Sequence, residues 1–154
     1  ILGVQPCRPT SRGRIDIASP DPAEAPRIRP NALDTQADQD SVVAGGRLCA
    51  RILQAPALRG LIQAPLSRDV RDMDDVAILD DFRARATSVF HPVATCRMGR
   101  DARTSVTDPQ LNVHGVDGLR VVDASAFPNL TSGNTNAPTM MLAHRAADLI
   151  LNAG

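Results

Sequence analysis

The chain has 154 residues, 43% of them hydrophobic but only 2% aromatic, and its 17 acidic and 17 basic side chains cancel to a formal charge of +0. That length supports one sizeable core, built from Leu, Ile, Val, Ala and Met with Phe82, Phe90 and Phe127 as the only large rings. The charge balance gives no ground to expect nucleic acid or an anionic membrane surface as partner, and no stretch approaches the ~20 apolar residues of a membrane span.

Residues 11–18 alternate polar and apolar, which predicts a half-buried strand. Residues 19–33 carry Pro20, Pro22, Pro26 and Pro30. Proline removes backbone donors and holds its predecessor extended, so this run reads as an extended connection or an edge strand. Ser41 is placed to cap a helix running to about Gln54, with Val43, Leu48, Ile52 and Leu53 inward. Within it, Gly45 and Gly46 weaken the helix or mark a close approach. Residues 56–68 read as loop with short turns, punctuated by Pro56, Gly60 and Pro65.

A clearer helix starts at Asp74 or Asp75 and runs to about Val89. Val76, Leu79, Phe82, Ala86 and Val89 recur there at helical spacing, and Asp80, Asp81, Arg83 and Arg85 form a solvated face. The His91 loop follows. Two short strands are expected at Leu111–Val116 and Leu119–Val122, around Gly115 and Gly118. A final helix from about Ala137 to Asn152 carries Met140, Met141, Ala147, Leu149 and Ile150.

Every base is Arg, and Glu24 is the single Glu among the acids, a coding bias toward Arg and Asp rather than a charged patch. Cys7, Cys49 and Cys96 are widely spaced with no Cys-x-x-Cys pair, which argues against a disulfide framework and for a reducing, cytoplasmic setting. No charged-then-apolar leader is visible. The first residue is Ile1 rather than Met, so a processed product or a fragment is expected.

Three constellations carry chemistry. His91 precedes Pro92 in a loop after a helix, a place where catalytic side chains concentrate; the plainer reading, favoured for an isolated histidine, is a ring bonded to a neighbouring carbonyl. Asp123 follows Leu119–Val122. There a strand-end carboxylate accepts from a ribose or ribityl hydroxyl, or Asp123 or Ser125 simply caps the next turn. Asn134, Thr135 and Asn136 precede Pro138, and any of the three could be the N-cap of the last helix. Unpaired N–H groups and the positive dipole end there would also favour a negative charge. His114 reads as a turn residue and His144 as packing or surface. Neither has ligand spacing, so no metal centre is expected.

The run His91-Pro92-Val93-Ala94-Thr95-Cys96-Arg97-Met98-Gly99, then Leu111 to Ser125, then Gly133 to Thr139 and the final helix resemble the C-terminal region of glucose–methanol–choline (GMC) flavoprotein oxidoreductases, in the choline-dehydrogenase-like branch. Pro9–Gly13 and the proline-rich run ending Asn31-Ala32-Leu33 resemble the family's substrate-domain strands. The resemblance implies that His91 accepts or orients the alcohol proton while hydride passes to flavin N5, and that Asn136 hydrogen-bonds the substrate oxygen. It places Asp123 and Ala124 beside the FAD ribityl and diphosphate. Asn134, Thr135 and Asn136 then open the helix aimed at the flavin's pyrimidine edge.

Two departures touch no residue given a chemical role: Ala94 stands where glycine is common, and His144-Arg145 where an acidic-basic pair is usual. The larger departure is that nothing matches the Gly-x-Gly-x-x-Gly of a dinucleotide fold. The expected fold class is therefore α+β. Residues 1–116 would form a partial antiparallel substrate-domain sheet with helices. Residues 117–154 would supply a C-terminal strand and helix completing an FAD-binding α/β domain absent from this chain. The expected partners are a small-molecule alcohol and that missing N-terminal FAD-binding domain. The alternative is a truncated, catalytically silent remnant or structural partner.

Overall fold

The computed structural model describes residues Leu2–Asn152. They form a small α+β chain: β1 (Arg14–Asp16), β2 (Arg27–Arg29), α1 (Gln36–Leu53), α2 (Pro56–Arg59), α3 (Asp75–Arg85) and α4 (Asn136–Leu151), with short 3-10 turns at Val70–Asp72 and Ala124–Ala126. The chain divides into two compact units, one holding the residues up to Gly13 together with Arg29–Thr87, the other holding Arg14–Ile28 and everything from Ser88 onward.

In the first unit α1 begins earlier than its apolar pattern suggested. Thr35, not Ser41, is the N-cap, its hydroxyl accepting from the Asp38 N–H. The first turn, Gln36 to Asp40, is polar and so gives no periodic signal. Asp38 is nonetheless buried, because its carboxylate accepts from the N–H and hydroxyl groups of both Thr10 and Ser11. The inward face is Val42, Gly45, Gly46 and Ala50, while Leu48 and Ile52 are exposed, which corrects the expected register. The glycines mark close approaches. A Cβ on Gly45 would lie 2.3 Å from Val4 Cγ2, and one on Gly46 would lie 2.5 Å from Ile78 Cγ2.

α3 is capped by the Asp74 carboxylate, which accepts from the Ala77 N–H at 2.8 Å. It ends at Arg85 because Ala86 is extended. Ile78 is its buried residue and Val76 is 69% exposed, so its packed face is centred on Ile78. Arg85 pairs with Asp81 one turn away, but only Arg85 is exposed: the Asp81 side chain is half-buried and not on the solvated face expected of it.

In the second unit the predicted strand over 11–18 contracts to β1, paired with β2 from the proline-rich run in a two-stranded sheet. The predicted strands at Leu111–Val116 and Leu119–Val122 do not form; isolated bridges join Thr107 to Val113 and Asn112 to Arg120 instead. Leu111, Gly115 and Gly118 all have positive φ, at 67°, 75° and 72°, and three left-handed residues so closely spaced bend the chain out of a ladder. The core here gathers Leu111, Ala126, Phe127, Leu142 and Ala146, with Val93, Met98, Val122 and Ala124 packed against it. Phe127 is a core ring, whereas Phe90 is 85% exposed and belongs to no core. α4 buries Leu142 and Ala146 and leaves Met140 and Met141 outside.

Among the described residues no helix is long and apolar enough to cross a membrane. The three cysteines are free thiols, and no three His, Cys, Asp or Glu side chains gather as a metal set among those residues.

Candidate active site

The site grows from the loop that follows Ser88 in the second unit. Phe90 and Ala94 both take positive φ, at 61° and 71°, on either side of His91-Pro92-Val93. Those two reversals turn the loop sharply, and Val93 packs on the core. Farther along, backbone bonds lace the loop down: the Cys96 N–H donates to Ser125 O at 3.0 Å and the Met98 N–H to Ala126 O at 2.8 Å. On the other side, Arg97 O accepts from the Val106 and Thr107 N–H groups and the Gly99 N–H donates to Thr107 O. Thr107 is 0% exposed, and its hydroxyl donates to Cys96 O.

His91 itself is half-buried. Its Nδ1 lies 2.9 Å from the Thr135 hydroxyl, at the start of α4. The plainer sequence reading, a bond to a neighbouring carbonyl, is replaced by a bond to a side chain far along the chain. Nε2 is the nitrogen that this bond leaves free. Thr135 is the N-cap of α4, which settles the choice among Asn134, Thr135 and Asn136, yet its hydroxyl makes no cap bond to the helix. Its carbonyl is spent inside α4, on the Thr139 N–H at 3.0 Å and the Thr139 hydroxyl at 2.7 Å. Asn134 and Asn136 flank it and are exposed. The bond therefore sets His91 against the residue between the two amides.

Asp123 is exposed and extended, and it caps the 3-10 turn Ala124–Ala126: Oδ1 accepts from the Ser125 N–H at 2.7 Å and from the Ser125 hydroxyl. The capping reading of Asp123 is thus realised, and those bonds leave Oδ2 unused. Ala124 is half-buried against the core. Because Ser125 and Ala126 accept from Cys96 and Met98, one backbone ladder ties the Asp123 turn to the His91 loop.

The other two histidines stand apart. Nε2 of His114 lies 3.1 Å from the Ser105 hydroxyl and 3.2 Å from Gly99 O, so the ring clamps the turn after Gly99. A carbonyl only accepts, so that nitrogen carries the proton. His144 is exposed on α4. Nearby, burial pushes the Asp108 carboxyl up, but hydrogen bonds from the Asn112 amide and from the Asn112 and Gln110 N–H groups outweigh it and hold the group below the ordinary carboxylate range. Sequence reasoning missed both Thr107 and the Ser105–His114 clamp, which rest on contacts between turns and leave no periodic trace.

The arrangement offers an imidazole with one nitrogen anchored, two exposed amide side chains, and a helix start whose first N–H groups have no side-chain acceptor. A helix start of this kind favours an anionic or electron-rich edge. These donors and the free Asp123 oxygen fit the polar edge and hydroxylated chain of a flavin nucleotide.

Comparison with known proteins converges on one family. A family model described as GMC oxidoreductase matches residues 9–143. An alcohol dehydrogenase (acceptor) of Pseudomonas putida is 43% identical over 143 residues, covering 93% of this chain and 26% of that protein. The mitochondrial choline dehydrogenase of Homo sapiens is 41% identical over 148 residues, covering 96% of this chain and 25% of that protein. Among solved structures, pyridoxine 4-oxidase from Mesorbium loti superposes with a TM-score of 0.76 at 34% identity, over 92% of this chain and 28% of that one. An FAD-dependent oxidoreductase from Chaetomium thermophilum reaches 0.87 at 29% identity, over 94% and 25%. The chain spans about a quarter of the length of the curated relatives it matches.

Proposed function

The chain belongs to the GMC oxidoreductase family, and from that membership we propose that it forms one wall of a flavin site at which a small-molecule alcohol is oxidised. The observation that carries this reading is the anchoring of His91 Nδ1 on Thr135 at the otherwise uncapped start of α4.

FAD, when bound, supplies the hydride acceptor. His91 takes the hydroxyl proton of the alcohol on Nε2, the nitrogen its anchor leaves free; proton transfer by a positioned imidazole contributes roughly 10²–10⁴-fold to such a reaction. Asn136 hydrogen-bonds the substrate oxygen through its amide and fixes the alcohol in register with the imidazole. The first-turn N–H groups of α4, with Asn134 and the Thr135 backbone, bind the polar edge of the flavin and favour negative charge there. Asp123 Oδ2 accepts from a ribityl hydroxyl, with Ala124 beside it.

In this reading residues 117–154, whose last two lie outside the described ones, belong to the flavin-binding domain, and residues 1–116 to the substrate side. The core of Leu111, Phe127 and Leu142 joins the two assignments beneath the site. In this reading a dinucleotide fold outside these residues, which carry no Gly-x-Gly-x-x-Gly, would hold the adenosine and pyrophosphate of FAD.

Reconstitution tests the reading. The chain is expressed with and without an N-terminal flavin-binding portion, and flavin absorbance and alcohol-dependent dye reduction are measured. Both are expected only in the complemented protein. Alcohol turnover without any flavin, or its absence in the complemented protein, would refute the assignment.

A further inference from the structure

Among the described residues two helices of sixteen or more residues begin on a threonine, and the two threonines are used differently. Thr35 does what an N-cap threonine ordinarily does: its hydroxyl accepts from a first-turn N–H of α1. Thr135 forgoes that bond and spends its hydroxyl on His91. Thr135 is 8% exposed and His91 half-buried, so the hydroxyl's side of the pair is the one shielded from water. Its backbone is pinned by the two bonds from Thr139, and a β-branched side chain has few rotamers to escape into. The hydroxyl is therefore held at the ring.

We propose that Thr135 is a positioning residue: its hydroxyl accepts the Nδ1–H of His91 and so holds the neutral imidazole in the tautomer whose Nε2 carries the lone pair. This rests on the reading that His91 takes the substrate proton. A neutral imidazole has one donor and one acceptor nitrogen, and engaging one as donor makes the other the acceptor. With the proton on Nδ1, Nε2 is ready to receive a proton from an alcohol. In the opposite tautomer an N–H would face the alcohol, and no proton could move to it. Thr135 thus serves the chemistry through His91, which separates it from Asn136, the residue that meets the substrate.

The test is ring-nitrogen NMR on the chain labelled with ¹⁵N-histidine, recorded at alkaline pH where the rings are neutral. His91 is identified by the signals lost in His91→Gln, which leaves His114 and His144. Wild type and Thr135→Ser are expected to show His91 protonated on Nδ1, and Thr135→Val to lose that preference. An Nε2–H ring in wild type, or an unchanged tautomer in Thr135→Val, would overturn the proposal.

A second arm uses the flavin-loaded enzyme. Thr135→Val should lower kcat with KM little changed, by less than the roughly 10²–10⁴-fold expected on removing the imidazole, and Thr135→Ser should restore it. Serine failing as badly as valine would overturn the hydroxyl's role. Full turnover in His91→Gln would instead refute the proton-acceptor reading, whatever the tautomer. An inactive His91→Gln beside an Nε2–H wild type would refute only the part given to Thr135.

Discussion

The imidazole Nδ1 of His91 and the hydroxyl of Thr135 lie 2.9 Å apart across 44 residues of chain. That one bond fixes a loop histidine against the start of a helix whose N-cap side chain makes no cap hydrogen bond. It brings a proton-handling group and an anion-favouring helix start to one place, and the functional account depends on their being together.

The loop that presents His91 carries a cost at Ala94, whose φ of 71° lies in the left-handed region. An L-residue pays roughly 1–2 kcal/mol there, while glycine's extra freedom in the unfolded chain takes back about 0.4–1 kcal/mol. Ala94→Gly is therefore expected to stabilise the protein by on the order of 0.5 kcal/mol. Urea unfolding of the two proteins side by side checks this, and a destabilised glycine variant would show that the alanine methyl does more by packing than it costs in strain.

Gly46 makes the opposite case. A methyl there would sit 2.5 Å from Ile78 Cγ2, between α1 and a buried residue of α3. Gly46→Ala should destabilise by about 1–3 kcal/mol through overpacking, despite alanine's better helix propensity. A double-mutant cycle with Ile78→Ala should show favourable coupling between the two changes. Strict additivity would mean that the helices move apart at little cost.

Asp38 holds the chain near Thr10 and Ser11 to the first turn of α1. Burial pushes its carboxyl up, but the bonds from the Ser11 hydroxyl, the two N–H groups and the Thr10 hydroxyl outweigh it and hold the carboxyl well below the ordinary carboxylate range. A lowered folded value means the stabilisation is complete above the unfolded value of about 3.9, starts to decline below it and is lost only as pH falls through the folded value. Asp38→Asn turns one acceptor oxygen into an amide facing the two Ser11 donors, at a cost of about 1–3 kcal/mol at pH 7. Unfolding midpoints of both proteins at pH 7 and pH 3 should differ widely at the first and by a narrower margin at the second. A gap that stays constant would remove the charge from the explanation.

These sites show where sequence reading stops. The cap at Asp74 and the one-turn spacing of Asp81 and Arg85 were legible because each follows from local chemistry, and the paired glycines flagged the close approach at Gly45 and Gly46. The true start of α1 was not: Thr35 opens a polar turn whose one buried member, Asp38, is explained only by partners 27 and 28 residues away. The strands expected near Leu111 and Leu119 failed because a leucine took positive φ, which no residue pattern announces. In the site, the histidine loop and the helix start were both recognisable as motifs. The bond between them was hidden, since Thr135 reads as a cap and turns out to be an anchor.

Asn136 is assigned to the substrate oxygen, so Asn136→Ala in the flavin-loaded enzyme should lower alcohol turnover by less than loss of the imidazole does. One amide bond to an uncharged oxygen contributes about 0.5–1.5 kcal/mol, or roughly threefold to tenfold in rate. Steady-state kinetics with FAD content measured alongside would check it, and unchanged kinetics would remove Asn136 from the substrate contact.

The most direct test is the turnover of His91→Gln. Glutamine keeps a polar group near Thr135 but cannot take up a proton. Alcohol-dependent flavin reduction, followed by absorbance in wild type and variant of equal FAD content, should fall by roughly 10²–10⁴-fold. A variant that binds FAD and reduces it at close to the wild-type rate would contradict the account.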